Sequence, residues 1–161
     1  MNVRREISKP PASAASAAQA QLRNFIAKFD PANQKLIRAV RRKIRAVFPA
    51  AFELVYDNYN FFVIGYSPTE RPSDAIVSIT ANSSGVGLCF IHGASLPDPD
   101  KLLLGSGNQT RFIRVQSAEV LDTPGVVRLL KAAQDHSKIA SERKHAKLII
   151  RSVSAKQRPR R

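Results

Sequence analysis

The chain has 161 residues, 43% of them hydrophobic, and its 26 Lys and Arg against 12 Asp and Glu give a net charge of +14. That length fits one domain with tails to spare, and the hydrophobic share suffices for a sizeable core. The single cysteine, Cys89, excludes an internal disulfide and multi-cysteine zinc sites, and no run approaches the roughly 20 apolar residues of a membrane helix.

The charge is unevenly spread. Residues 22–136 carry 14 basic and 10 acidic residues, whereas residues 137–161 carry 9 basic and 1 acidic. A basic tail attracts polyanions of any kind, so the balance points to an anionic partner such as nucleic acid without naming one. The N-terminus lacks the apolar stretch of a secretory signal. With one cysteine in the chain, a reducing, cytoplasmic location is the expectation.

In chain order, residues 1–18 read as a disordered arm, with Pro10-Pro11 followed by small residues. Leu22, Phe25, Ile26 and Phe29 recur at helical spacing and predict a first helix over 19–29. Asp30-Pro31 supplies an N-cap followed by proline at the first helical position, opening a second helix over about 31–48. Turning about 100° per residue, Leu36, Ile37, Val40, Ile44, Val47 and Phe48 share one face. Lys35, Arg38, Arg41, Arg42 and Arg45 form a basic ridge beside it. Such a ridge is either a solvated face or a phosphate-binding one.

Residues 52–66, FELVYDNYNFFVIGY, predict one or two strands with a turn or bulge at Asp57-Asn58. After a loop over 67–73, strands over 74–81 and 86–91 form a hairpin through Asn82-Ser83-Ser84-Gly85. Leu102–Leu104 predicts a short apolar turn at the edge of the core, and 111–116 a further strand. Thr123-Pro124 opens a third helix, and a helical stretch over about 138–150 precedes a basic tail. The fold class is α+β: an antiparallel sheet of about five strands, with N-terminal helices and a C-terminal helix on one face. The domain boundaries are 1–18 for the arm, 19–137 for the domain and 138–161 for the basic helical extension and tail.

Gly105-Ser106-Gly107 superficially suggests a phosphate loop. A dinucleotide fingerprint needs a helix after the glycines, and here a strand comes next, so the segment reads as a turn. Asp98 and Asp100 read as turn chemistry within Pro97-Asp98-Pro99. Glu53, Asp57 and His92 make a metal site only if the fold brings them together, and no metal ligand set is assigned. The histidines lack motif-like neighbours and there is no Gly-x-Ser-x-Gly, so no catalytic residue is assigned. Arg111 and Arg114, three residues apart on a strand, point to opposite faces. A cation beside Tyr56, Tyr59 or Tyr66 on the open sheet face suits an anionic ligand or a stacked base. Tyr56, Tyr59, His92 and Arg111 are the candidate ligand-binding residues, and Lys35, Arg38, Arg42 and Arg45 the candidate polyanion-binding ones.

Glu53-Leu54-Val55-Tyr56, Leu88-Cys89-Phe90-Ile91-His92-Gly93-Ala94, Leu102-Leu103-Leu104-Gly105-Ser106-Gly107 and Arg111-Phe112-Ile113-Arg114-Val115 together resemble the YdhG-like family of small bacterial domains. The resemblance covers roughly residues 22–136 and implies an α+β domain similar in outline to frataxin. It further implies a non-enzymatic binding or chaperone-like module and, by analogy with one bacterial member, an intracellular iron chaperone. Polyanion or nucleic-acid binding through the basic helix and tail is the alternative that comes from the residues themselves.

Overall fold

The computed structural model describes residues 13–137 and 147–161. Two helices open it, α1 (Ala14–Ala27) and α2 (Pro31–Val47). The strands β1 (Phe52–Asp57), β2 (Phe62–Ser67), β3 (Val77–Asn82), β4 (Gly85–Phe90) and β5 (Arg111–Val115) come next, then α3 (Pro124–His136) and β6 (Leu148–Val153). The six strands form one sheet in the order β5-β4-β3-β2-β1-β6. Every pairing is antiparallel except β1 with β6, which is parallel.

The caps behave as their chemistry dictates. Asp30 precedes Pro31 and its carboxylate accepts from the Asn33 amide at 2.8 Å, satisfying one of the free N–H groups at the start of α2. Ser13 plays the same part for α1, accepting from the Ser16 amide. The helix therefore starts at Ala14, inside the segment read as a disordered arm; residues 1–12 of that arm lie outside the described residues. Five alanines between 14 and 20 make the start a good helix former even without large apolar side chains to bury.

Alternation across the strands builds the core. Facing the helices, the register aligns Val55, Ile64, Ile79, Leu88 and Ile113 in one row and Phe62, Ala81, Val86 and Val115 in the next. These pack with Leu22, Phe25 and Ile26 of α1, Ile37, Val40 and Ile44 of α2, and Val126, Leu129, Leu130 and Ala133 of α3 in one cluster. All three helices thus cover the same face of the sheet.

The C-terminal segment departs from the helical expectation over 138–150. Residues 138–146 lie outside the described residues, but Leu148–Val153 is a strand, with Glu53, Leu54 and Val55 pairing Leu148, Ile149 and Ile150. Leu148 and Ile150 pack on the core while Ile149 pairs alongside Leu54. As the edge strand, β6 leaves this three-residue apolar run half-buried, Leu148 and Ile150 toward the core and Ile149 toward the other face. The sheet thus has six strands, with one parallel pair, where about five antiparallel strands were expected.

Gly105-Ser106-Gly107 is a turn. Leu104 and Phe112 exchange backbone hydrogen bonds of 2.8 and 3.0 Å across it, and Gly105 adopts φ +113°. The leucines before it divide: Leu103 packs against the core, whereas Leu102 and Leu104 are exposed. Gly93 is fixed by close approach. A Cβ there would lie 2.5 Å from Arg111 Cβ and 2.9 Å from the Arg111 amide nitrogen. Backbone on the far side cannot give way, so Gly93→Ala is expected to lower stability by about 1–3 kcal/mol. Urea denaturation checks this; an unchanged midpoint would contradict the packing of β5 against the 93–95 turn.

Candidate anion-binding site

The site grows from β1. Its alternate residues Glu53, Val55 and Asp57 face the helices, so two carboxylates enter the covered face about 13 Å apart, four residues at the strand rise. Glu53 is 2% exposed and Asp57 fully buried. Burying an unpaired carboxylate is prohibitively costly, so each must draw cations to it.

Glu53 draws α2. Arg41 grips it with a two-pronged pair, Nε to Oε2 at 2.8 Å and Nη2 to Oε1 at 2.9 Å, the planar geometry that favours arginine over lysine. Arg45 approaches the same carboxylate at 3.7 Å, and the Tyr66 hydroxyl donates to it at 2.9 Å. Burial, with the Glu53 charge beside it, pushes the Tyr66 phenol well above its ordinary value, so it stays protonated and donating. Burial pulls the Arg41 guanidinium down, but its bonds and attraction to Glu53 outweigh that and leave it raised.

Above this anchor, Arg38, Arg41, Arg42, Arg45, Ala46 and Pro49 line an open groove of about 590 Å³. No acidic side chain lines it. Arg38 and Arg42 are exposed, and Arg38 makes only a long 3.3 Å contact to Gln34 within its own helix. Lys35, one turn nearer the start of α2, is exposed and outside the groove. The groove crowds cations on one helix face, with Arg41 and Arg45 held from beneath by a buried carboxylate and Arg38 and Arg42 exposed, a charge arrangement suited to an anion.

Asp57 draws the C-terminus. Lys28 Nζ lies 2.7 Å from Oδ2, and Arg160 Nη2 lies 3.0 Å from Oδ1 in a pair buried on both sides. Gln157 donates to the Asp57 carbonyl at 2.8 Å while accepting from Lys28 at 2.9 Å. The segment read as a basic tail is docked at its end, and Arg160 is 4% exposed. The remaining donors of Arg160, Nε and Nη1, are buried without a partner. That cost is offset by the second cation Arg160 brings to the buried Asp57, whose other partner, Lys28, is itself partly exposed.

The four candidate ligand residues do not share a pocket. Tyr56 is on β1 with its side chain on the face away from the helices, and Tyr59 is in the turn after β1, under the Arg158 guanidinium. His92 and Arg111 lie toward the other side of the sheet, with β2 and β3 between. Arg111 faces the helix side at the rim, and its Nη1 donates to the Gly107 and Thr110 carbonyls, fastening the glycine turn. Arg114 points to the opposite face and is exposed.

His92 Nδ1 lies 2.8 Å from the Gln109 side-chain Nε2, and its ring centre is 5.7 Å from that of His136. Both histidines help line a pocket of about 170 Å³ with Asp74, Ile76 and Phe90. Glu53, Asp57 and His92 do not converge: the carboxylates are held in ion pairs under the helices, and His92 lies beyond β4. Asp98 caps the Leu102 and Leu103 amides at 2.9 Å, and Asp100 pairs with Arg128. Among the described residues, no group of three or more His, Cys, Asp or Glu side chains is placed to hold a metal ion. Burial pushes the Cys89 thiol up, against weaker contributions from Thr80 and Ser78, which disfavours the reactive thiolate. No helix among the described residues is long and apolar enough to cross a membrane.

Compared with known proteins, the chain matches no family model, no curated protein and no solved structure.

Sequence reasoning found the arginines of the groove but missed Glu53 as their anchor and Arg160 as a buried partner. The spacing of Glu53 and Asp57, both in phase with Val55, was the available signal. Burial alone would raise the Asp57 carboxyl, but hydrogen bonds from Lys28, Gln157 and Arg160 and the Lys28 charge hold it below its ordinary value of 3.8. A depressed folded value means that the stabilisation is fully present above the unfolded value and disappears as the pH falls through the folded one. Urea midpoints should thus drop as the pH is lowered past about 4, and Asp57→Asn should start lower and flatten that acid limb. An acid limb unchanged in the variant would contradict the assignment.

Proposed function

We propose that this chain is a non-catalytic binding module of the YdhG-like kind, and that its ligand is the phosphate backbone of nucleic acid, held by the arginine face of α2. The observation that carries the reading is the groove lined by Arg38, Arg41, Arg42 and Arg45 with no acidic side chain among its lining residues. Glu53 supports it from below by fixing Arg41 and drawing Arg45 inward, so part of the cost of ordering long side chains is met before a ligand arrives. The rest of the charge agrees with the reading: residues 147–161 add six cations and no acid.

The proposed kinship rests on the four sequence runs that resemble YdhG-like domains. Within that resemblance, an iron-carrying role needs carboxylates open to the metal. The two acids of β1 are instead enclosed by cations, and the exposed face of α2 is basic, which repels Fe²⁺ and attracts phosphate. The non-catalytic reading is supported by the separation of Cys89, bonded toward Thr80, from His92, bonded toward Gln109.

Fluorescence anisotropy with labelled random-sequence RNA tests the function. The logarithm of affinity is expected to fall linearly with the logarithm of salt concentration. Arg38→Ala and Arg42→Ala should each weaken binding across all sequences and reduce that slope by about 1. Absent or salt-independent binding would remove the reading. Both side chains are exposed, so an unchanged circular dichroism spectrum is the expected control.

A further inference from the structure

We propose that the turn after β1 is a base-stacking platform, built by Tyr59, Phe61 and Arg158, that gives the module a preference for single-stranded over double-stranded nucleic acid. The inference rests on the nucleic-acid reading above and assigns a second site to the same ligand. Tyr59 and Phe61 are 42% and 43% exposed, two aromatic rings flanking Asn60 at the tip of a tight turn closed by the Asn58 amide donating to the Phe61 carbonyl at 2.9 Å. Single exposed apolar residues are ordinary on protein surfaces; a pair of rings on a rigid turn beside a cation is a more specific arrangement.

The C-terminus makes the turn rigid. The Arg158 amide donates to the Tyr59 carbonyl at 2.9 Å, the Ser152 hydroxyl donates to Asn58 Oδ1 at 2.7 Å, and Arg160 donates to the Asn58 carbonyl. Arg158 then turns back over Tyr59, its guanidinium carbon 5.7 Å from the ring centre. That contact orients the phenol ring, yet 42% of the residue stays exposed to solvent. Arg158 is exposed, as is Lys156 two residues before it in the chain; Arg161 is exposed with its Nε donating to the Lys28 carbonyl at 3.4 Å, and the nearby carboxylate of Asp57 is buried and paired.

Charge complementarity selects the occupant. A ring beside the exposed Arg158 guanidinium, on a segment that also carries Lys156 and Arg161, suits a ligand that carries both a flat apolar surface and a negative charge at short intervals. A nucleic acid strand has this alternation, but in a duplex its bases are stacked on one another and their faces are hidden. Only an unpaired base can lie on Tyr59 or Phe61 while its phosphate meets the Arg158 guanidinium.

The test compares the full chain and its variants on an oligothymidylate and on a duplex of equal length, at one salt concentration. Tyr59→Ala and Phe61→Ala are each expected to weaken single-strand binding about tenfold, the order of one lost base stack, with duplex binding unchanged. Tyr59→Phe should keep the single-strand affinity, because the ring and not the hydroxyl does the stacking. The chain has no tryptophan, so oligothymidylate quenching of tyrosine emission is a direct readout, and it should diminish in Tyr59→Phe. Equal weakening on both ligands, or no change on either, overturns the platform while the dependence on Arg38 and Arg42 still stands. If the unaltered chain binds neither ligand, the nucleic-acid reading falls with it.

Discussion

Everything distinctive about this molecule depends on two carboxylates that β1 turns inward. A strand that buries Val55 between two acids cannot do so without compensation, because Glu53 and Asp57 enter the space between sheet and helices. Their charges are met by cations from three separate parts of the chain: Lys28 at the end of α1, Arg41 and Arg45 on α2, and Arg160 at the C-terminus. Removing one member of such a buried pair costs roughly 3–5 kcal/mol, chiefly through the charge left alone. The acids therefore act less as sources of net stability than as constraints on which elements sit where. Glu53 sets the position of α2, and Asp57 closes the end of β1 with the last residues of the chain.

The same constraint sorts the large positive charge into two kinds. Arg41 and Arg160 are structural, each committed to a buried carboxylate. Arg38, Arg42, Lys156 and Arg158 stay exposed, displayed on elements that the structural cations hold in place. A net charge of +14 says little by itself about function, since self-repulsion and solubility result from it equally. Its meaning comes from the local arrangement: an arginine groove anchored through Glu53, and an aromatic turn anchored through Asp57, at opposite ends of one strand.

The parts of the fold legible in the sequence were those governed by local chemistry. Asp30-Pro31 marks a helix start through capping and proline's fixed φ, Thr123-Pro124 through the proline alone, since the Thr123 hydroxyl donates to the Val120 carbonyl, and Asn82–Gly85 marks a hairpin because its turn is equally local. The glycine turn at 105–107 could be separated from a phosphate loop because a strand, and not a helix, succeeds it along the chain. β6 was not legible. Leu148-Ile149-Ile150 is a continuous apolar run ending in polar residues, a pattern that fits a short helix as well as a strand, and its partner β1 lies about 95 residues earlier, where no local rule reaches. Arg160 was hidden for a related reason: in Arg158-Pro159-Arg160-Arg161 nothing local distinguishes the one buried arginine from its exposed neighbours. The site was half legible, since helical periodicity placed the arginines of α2 together. Phe52, Leu54 and Tyr56 are more apolar than the inward face of β1, so composition argued for Glu53 and Asp57 pointing outward, against the one contrary signal of their phase with Val55.

The claim that Asp57 and Arg160 act as one unit is open to a double-mutant cycle by urea denaturation at neutral pH, using Asp57→Asn, Arg160→Met and the two together. If the buried carboxylate is what holds the C-terminus in place, the double variant should be more stable than the sum of the single losses predicts, with a coupling of about 1–3 kcal/mol. Losses that simply add would contradict the account.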